Sequence, residues 1–121
     1  MKGQTTCRCG CGLDIKNELK VLIADVEKDL RFELVCNSGA RCPTYNATIP
    51  GSVAGDAHEH CLAVDIAVDP NSSSGRERIG LLIEALIRRG VRRFGDGMAK
   101  YGFLHFDRDD SLPTPRWWFY L

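Results

Sequence analysis

The stretch Gly55-Asp56-Ala57-His58-Glu59-His60-Cys61-Leu62-Ala63-Val64-Asp65-Ile66-Ala67-Val68-Asp69 decides how this chain is read. Its second half alternates. Leu62, Val64, Ile66 and Val68 share one side and Ala63, Asp65, Ala67 and Asp69 the other, the period of a strand with one face in a core. The first side is bulky and apolar, the second small and acidic, so Asp65 is expected to point away from the core. Alanines at 63 and 67 leave space beside it for an ion. The first half brings two histidines, a glutamate and a cysteine to the entrance of that strand. A metal site is one reading of this concentration, and a solvated loop before a strand is the other.

Working outward, Leu19, Leu22, Ile23, Val26 and Leu30 recur at three- and four-residue intervals after Asp14, which predicts an amphipathic helix over about 15–30 with Asp14 as its N-cap. Phe32, Leu34 and Cys36 then alternate with Arg31, Glu33 and Asn37, as a half-buried strand does. Residues 37–57 read as a long loop, and long loops inside compact domains are usually functional. Beyond the central strand, Pro70 to Gly75 reads as a turn. Ile79, Leu82, Ile83, Leu86 and Ile87 mark a second amphipathic helix stopped by Gly90. Strand-like pieces follow at 91–94 and 103–107 across a glycine-rich link, and Arg116-Trp117-Trp118-Phe119-Tyr120-Leu121 reads as a last strand. The expectation is an α+β fold: one compact domain over residues 1–121, a mainly antiparallel sheet, two or more helices packed on it, and the Cys-rich residues 1–13 packed against it.

Composition agrees with a single globular unit. The chain has 121 residues, 44% of them hydrophobic and 26% charged, with a formal net charge of zero. A chain of this size buries about 65–68% of its unfolded surface around one core. Zero net charge gives no overall pull toward nucleic acid or an anionic membrane, so no nucleic-acid partner is expected. No run approaches the about 18 apolar residues of a membrane span, and the first residues lack the apolar centre of a secretory signal. The reading is therefore a monomer, cytoplasmic as synthesised.

Six cysteines are present, three of them in Cys7-Arg8-Cys9-Gly10-Cys11. Reducing compartments disfavour disulfides, so Cys7, Cys9 and Cys11, with Cys36 or Cys42, form a candidate thiol cluster for a second, structural metal or a disulfide. The C-x-C-x-C spacing differs from the C-x-x-C of zinc knuckles.

A catalytic zinc takes three protein ligands and keeps one open position. His58 lies before the central strand, Asp65 on its small face, and His105 on a later strand beside Phe103 and Asp107. If the two strands adjoin, His58, Asp65 and His105 converge. The H-E-x-x-H helix of the commonest zinc proteases is excluded, because His58-Glu59 is followed by His60-Cys61-Leu62.

These residues carry a family resemblance. His58-x-x-Cys61-x-Ala63-x-Asp65 resembles the S-x-H-x-x-G-x-A-x-D motif of the zinc D-alanyl-D-alanine carboxypeptidases and related phage endolysins (VanY-like, of the hedgehog-type zinc peptidase fold). Ser38-Gly39-Ala40-Arg41-Cys42-Pro43-x-Tyr45-Asn46 is similar to that family's SGYRCP-x-x-N segment. Phe103-Leu104-His105-Phe106-Asp107 is similar to its F-V-H-V-D strand, and Arg116-Trp117 to its terminal Arg-Trp. The motifs keep the family's order from about residue 7 to 117.

The resemblance implies one catalytic Zn2+ on the sheet, held by His58, Asp65 and His105, and hydrolysis of peptidoglycan stem or cross-link peptides. The enzyme would be a D-Ala-D-Ala carboxypeptidase or an endopeptidase, acting on the cell wall if released in phage lysis or carried in a virion. Arg41 matches the family arginine that meets a substrate carboxylate or oxyanion, and Tyr45, Asn46 and Trp117 are further substrate-binding candidates. Three departures from the pattern stand out: Asp56 replaces serine, Cys61 replaces glycine, and Gly102 and Phe103 stand where many members carry the acid/base group. Asp56, Glu59 and Asp107 are the candidates for that role, with Asp107 also suited to orienting a ligand. His60 has no counterpart and reads as a surface residue. The alternatives are a catalytically impaired, zinc-stabilised module binding wall peptides or a protein, and a metal sensor built on the thiols.

Overall fold

The computed structural model describes residues 1–120. In chain order the elements are β1 (Lys2–Gly3), α1 (Asn17–Leu30), β2 (Val35–Ser38), α2 (Pro43–Asn46), β3 (Ala63–Ala67), α3 (Ser73–Arg88), β4 (Arg93–Gly97), α4 (Met98–Tyr101), β5 (Phe103–Asp107) and β6 (Arg116–Phe119). The strands form one sheet in the order β1-β2-β3-β5-β4-β6. The fold is α+β, as the patterning predicts.

Alternation along each central strand sorts the side chains onto two unlike faces. Val64 and Ile66 of β3, Leu104 and Phe106 of β5 and Phe94 of β4 join Leu19, Leu22, Ile23 and Val26 of α1 and Leu82, Ala85 and Leu86 of α3 in one core. Phe106, Leu104, Val64, Leu19 and Leu86 are fully buried, and each such side chain contributes about 1.5–3 kcal/mol by leaving water. The other face carries Asp65, His105, Asp107, Arg93, Gly95 and Trp118. Two helices therefore cover one side of the sheet and leave the second for polar chemistry.

The sheet is mixed rather than mainly antiparallel. β2 with β3, β3 with β5, and β4 with β5 are antiparallel, whereas both edges, β1 on β2 and β6 on β4, are parallel. After β5 ends at Asp107, opposite Arg93 at the start of β4, the chain passes that start and enters β6 at Arg116, beside Arg93. Crossing over one strand makes β6 parallel to β4. Hydrophobic alternation is the same for either pairing, so the sequence reading could not separate them.

Four local boundaries also differ. α1 starts at Asn17 after an extended Lys16 with no side-chain cap. Asp14 instead accepts from Ile15 N–H at 2.8 Å and Thr5 Oγ1 at 2.7 Å and pairs with Lys20 at 2.7 Å. It anchors the approach to the helix rather than capping it. α3 begins inside the predicted turn, with Ser72 Oγ accepting from Gly75 N–H at 3.0 Å. The long loop contains α2. β4 lies later than the predicted 91–94 and runs through Gly95 and Gly97, residues that read as breakers. A Cβ at Gly95 would fall 2.7 Å from the Tyr120 ring and 2.8 Å from Trp118, and one at Gly97 would fall 2.6 Å from Phe103. These glycines serve close ring packing on a strand.

Among the described residues, no helix is long and apolar enough to cross a membrane.

Candidate metal centre

β3 and β5 are paired in a register that sets Asp65 directly opposite His105, with Gly95 of β4 on the far side of His105 and Ser38 of β2 beside Asp65. All four positions fall on the polar face. His58 enters from the turn before β3, which is closed by bonds from Cys61 N–H to His58 O, 3.2 Å, and Leu62 N–H to Ala57 O, 3.0 Å. Cys61 holds φ at +61° in that turn, where glycine is the usual occupant.

Three ligand atoms converge. His58 Nε2 lies 3.2 Å from His105 Nδ1 and 3.3 Å from Asp65 Oδ1, and His105 Nδ1 lies 2.9 Å from the same oxygen. Ligands about 2.0–2.1 Å from one ion at tetrahedral angles would stand about 3.3 Å apart. The tautomers follow from the outer partners. His58 Nδ1 is 2.7 Å from Gly39 O, an obligate acceptor, so that nitrogen carries the proton and Nε2 presents a lone pair. His105 Nε2 is 2.8 Å from Asp107 Oδ2, which places a proton there and turns the Nδ1 lone pair inward. With these tautomers three acceptors, all buried, face one another, and either a proton on His105 Nδ1 or a cation between them satisfies the group. The donor set fits a divalent metal.

The same electrostatics appear in the protonation of the metal-free cluster. Burial lowers the basicity of His105, but the carboxylates of Asp107 and Asp65 outweigh it and raise the pKa to about 9. For Asp65 burial acts upward, and the charge of His58 and the bonds from both imidazoles hold the carboxyl far below its usual range.

A second layer fixes these side chains. Asp107 is fully buried; its Oδ1 accepts from Arg93 Nε at 2.7 Å and from Asp109 N–H at 3.1 Å. Arg93 in turn donates Nη1 to Pro113 O and lies 5.0 Å from the Trp118 ring centroid. Arg41, also buried, donates Nε to Ser38 Oγ at 3.0 Å, Nη1 to Asn46 Oδ1 at 2.9 Å and Nη2 to Asp65 Oδ2 at 3.3 Å. Three of the five guanidinium N–H donors are thereby committed to orienting Asp65 and the pocket wall.

The predicted residues separate into groups. His58, Asp65 and His105 meet around one point, with Arg41 on Asp65 and Asn46 behind Arg41. Asp107 is behind His105 with both oxygens engaged, so it orients the imidazole. Glu59 Oε2 accepts from Asn46 Nδ2 at 2.7 Å, and Asp56 Oδ1 accepts from Glu59 N–H at 3.1 Å. Both carboxylates hold the loop together. Tyr45 is half-buried on α2 beside Asn46. His60 is half-exposed and turned to Asp109 at 2.5 Å, apart from the ligand group. Trp117 lies on the face opposite the His58, Asp65 and His105 group: its ring packs 5.4 Å from Phe94, on the core side.

Trp118 is the tryptophan of the polar face, with its ring centroid 5.1 Å from that of His105. Tyr120 extends the same wall 5.0 Å from Phe103. Burial and the charge of Asp65 push its phenol up to about 12, which keeps it neutral and able to donate. The sequence reading missed Trp118, Tyr120 and Arg93; alternation puts one of the two adjacent tryptophans on the polar face, but which one needed the pairing of β6 with β4, as Arg93 needed that of β4 with β5.

A second group of possible metal ligands consists of Cys7, Cys9, Cys11 and Cys42, whose sulfurs all lie within 4.8 Å of one another. Cys36 is not part of it. That thiol is on the core side of β2, and burial together with the charge of Asp65 raises its pKa to about 11.

In comparisons with known proteins, no family model, no curated protein and no solved structure matches this chain.

Proposed function

We propose that the chain is a zinc-dependent peptidase acting on peptidoglycan stem or cross-link peptides, as a D-Ala-D-Ala carboxypeptidase or an endopeptidase. The observation that carries the reading is the convergence of His58 Nε2, His105 Nδ1 and Asp65 Oδ1 at 2.9–3.3 Å, in residues whose motifs resemble that family. Two imidazoles and a carboxylate suit zinc, and three protein ligands leave a coordination position open.

An ion held there supplies Lewis acidity, polarising a carbonyl and making water nucleophilic near neutral pH. The chain's own residues supply the rest. Asp107 and the Gly39 carbonyl hold the imidazoles in the tautomers that ligation needs. Arg41 keeps a fixed positive charge beside Asp65, suited to the terminal carboxylate of a peptide or to an oxyanion. Tyr120, neutral at physiological pH, is a hydrogen-bond donor on the same wall, and the Trp118 ring shields His105 from water.

A second reading, a zinc-stabilised module that binds wall peptides without cutting them, is favoured by one observation. Each carboxylate considered as general base is already engaged: Asp107 by His105 and Arg93, Glu59 by Asn46, and Asp56 by the backbone of Glu59. Incubating the zinc-loaded protein with purified peptidoglycan and with stem peptides ending in D-Ala-D-Ala, and following products by mass, separates the two. Loss of a terminal residue or of a cross-link supports the peptidase. Peptide binding without products across pH and across zinc, cobalt and manganese supports the binding module.

A further inference from the structure

We propose that Cys7, Cys9, Cys11 and Cys42 form a second metal centre, a structural tetrathiolate site for a zinc-class ion, which clamps the backbone strip that orients His58 and Arg41. This site stands whether or not the chain is a peptidase.

The sulfur separations carry the inference. Cys7 Sγ is 3.4 Å from Cys9 Sγ and 3.8 Å from Cys42 Sγ, and Cys9 Sγ is 3.6 Å from Cys42 Sγ. Four thiolates at about 2.3 Å from a tetrahedral zinc stand about 3.8 Å apart, whereas a disulfide needs about 2.05 Å. The spacing of these three sulfurs is that of a coordination shell, and Cys11 Sγ lies within 4.8 Å of each of them.

The backbone is shaped to create it. In an extended chain the sulfurs of alternate residues share a side but spread along the strand, too far apart to share one ion. Here residues 7–13 are folded back by bonds from Cys7 N–H to Leu13 O, 2.7 Å, and Gly10 N–H to Cys7 O, 3.2 Å. Gly10 and Gly12 take φ of +84° and +86°, a conformation natural to glycine. Amide hydrogens are directed at the sulfurs as well: Cys42 N–H to Cys7 Sγ and Tyr45 N–H to Cys42 Sγ, each 3.4 Å. The two cysteines outside the group, Cys36 and Cys61, are buried among apolar side chains, so the clustering is selective.

The location gives the ion its role. Ala40 N–H bonds Thr5 O at 2.9 Å, and a Cβ on Gly39 would fall 2.4 Å from that same oxygen. Gly39 O receives His58 Nδ1, and Arg41 N–H bonds His58 O at 3.1 Å. Residues 39–41 are thus held between the segment containing Thr5 and the turn containing His58. An ion joining Cys42 to Cys7, Cys9 and Cys11 fastens that strip to the N-terminal segment.

The test uses the full chain purified under reducing, anaerobic conditions, with metal per chain measured by mass spectrometry and cobalt(II) substituted for absorption spectra. The expected result is two ions per chain and a thiolate-to-cobalt charge-transfer band. Cys9→Ser and Cys11→Ser, both at exposed positions, each lose one ion and the band, while His58→Ala loses the other ion and keeps the band. Cys9→Ser also weakens the ion at the histidine site by about tenfold, the low end for outer-shell support; an unchanged constant overturns the clamping role. Absence of the band in the reduced wild type, or cysteine variants with wild-type metal content and spectrum, overturns the centre. Should the serine variants fail to fold, mercurial titration of the wild type decides: one ion released in step with four thiols supports the site, and thiol modification without release overturns it. A failed peptidase assay with the band intact counts against the function proposed above and leaves this centre in place.

Discussion

The two cation-ready clusters are assembled by opposite means. His105 and Asp65 are set face to face by the register of β5 on β3, and the layer behind them, Asp107 with Arg93 and Arg41 with Asn46, is buried and hydrogen-bonded. Their geometry is held by sheet pairing and core packing whether or not an ion is bound. Three of the four cysteines sit on the N-terminal loop and Cys42 caps α2, with Cys9 and Cys11 exposed. A sheet preorganises its cluster without an ion, whereas an ion at the proposed thiol centre would add its binding energy to the folding of the N-terminal segment.

The largest break in this comparison comes from Asp65→Ala. It removes a ligand and the partner of Arg41, leaving a buried guanidinium short of its counter-charge. Such a loss costs about 3–5 kcal/mol. Denaturant unfolding should show that decrease, metal at the histidine site should be lost, and the hydrolysis proposed above should fall to background while metal at the proposed thiol centre is retained.

Metal removal is the next test. Chelation of the wild type should free amide exchange in residues 5–13 by more than about tenfold, while exchange in β3 and β5 changes little. Equal deprotection of both regions, read by hydrogen exchange with mass spectrometry, would erase the distinction drawn between them.

Asp107→Asn leaves every ligand in place but replaces a charged acceptor of the His105 Nε2 proton. Affinity at the histidine site should drop by about 10–100-fold, with no change at the thiols, measured by competition with a chromophoric chelator. Gly95→Ala acts by sterics alone, since its Cβ would meet the Trp118 and Tyr120 rings at 2.7–2.8 Å. Overpacking of this kind costs about 1–3 kcal/mol, and near-ultraviolet dichroism of the tryptophans should report the displaced rings.

The smallest effect concerns Asp109, which sits outside both clusters. Burial pushes its carboxyl upward, but bonds from Ser111 and His60 prevail and hold it below the ordinary value of 3.8. A carboxyl depressed in the folded state adds stability above its unfolded pKa, and that stability fades as pH falls through the folded value. Asp109→Asn should therefore flatten the acid limb of the stability profile below about pH 4, by under about 1 kcal/mol, because the half-exposed imidazole of His60 is screened by water. A steeper acid limb in the variant would contradict the assignment.

Much of this architecture is legible in the residue pattern because its cause is local. The three- and four-residue spacing in α1 and α3 and the two-residue spacing in β3 and β5 follow from helix and strand geometry alone, and Asp65 and His105 inherit their common face from it. Where the pattern misleads, a distant partner is responsible. Gly95 reads as a breaker until the rings of Trp118 and Tyr120 are placed over it. Asp14 reads as a cap until Thr5 and Lys20 reach it. Trp117 and Trp118 are interchangeable in sequence, and only the pairing of Phe94 with Trp117 across β4 and β6 sends Trp118 to the histidine face.

By itself the sequence determined the two long helices, the central strands, the candidacy of His58, Asp65 and His105 and the suspicion attached to its thiols, since side-chain periodicity and ligand chemistry act over a few residues. Tertiary structure alone decided the parallel edges, the recruitment of Cys42 in place of Cys36, and the retreat of Asp107 behind His105. Those outcomes turn on which segments become neighbours, and long-range neighbours are chosen by packing the whole chain at once.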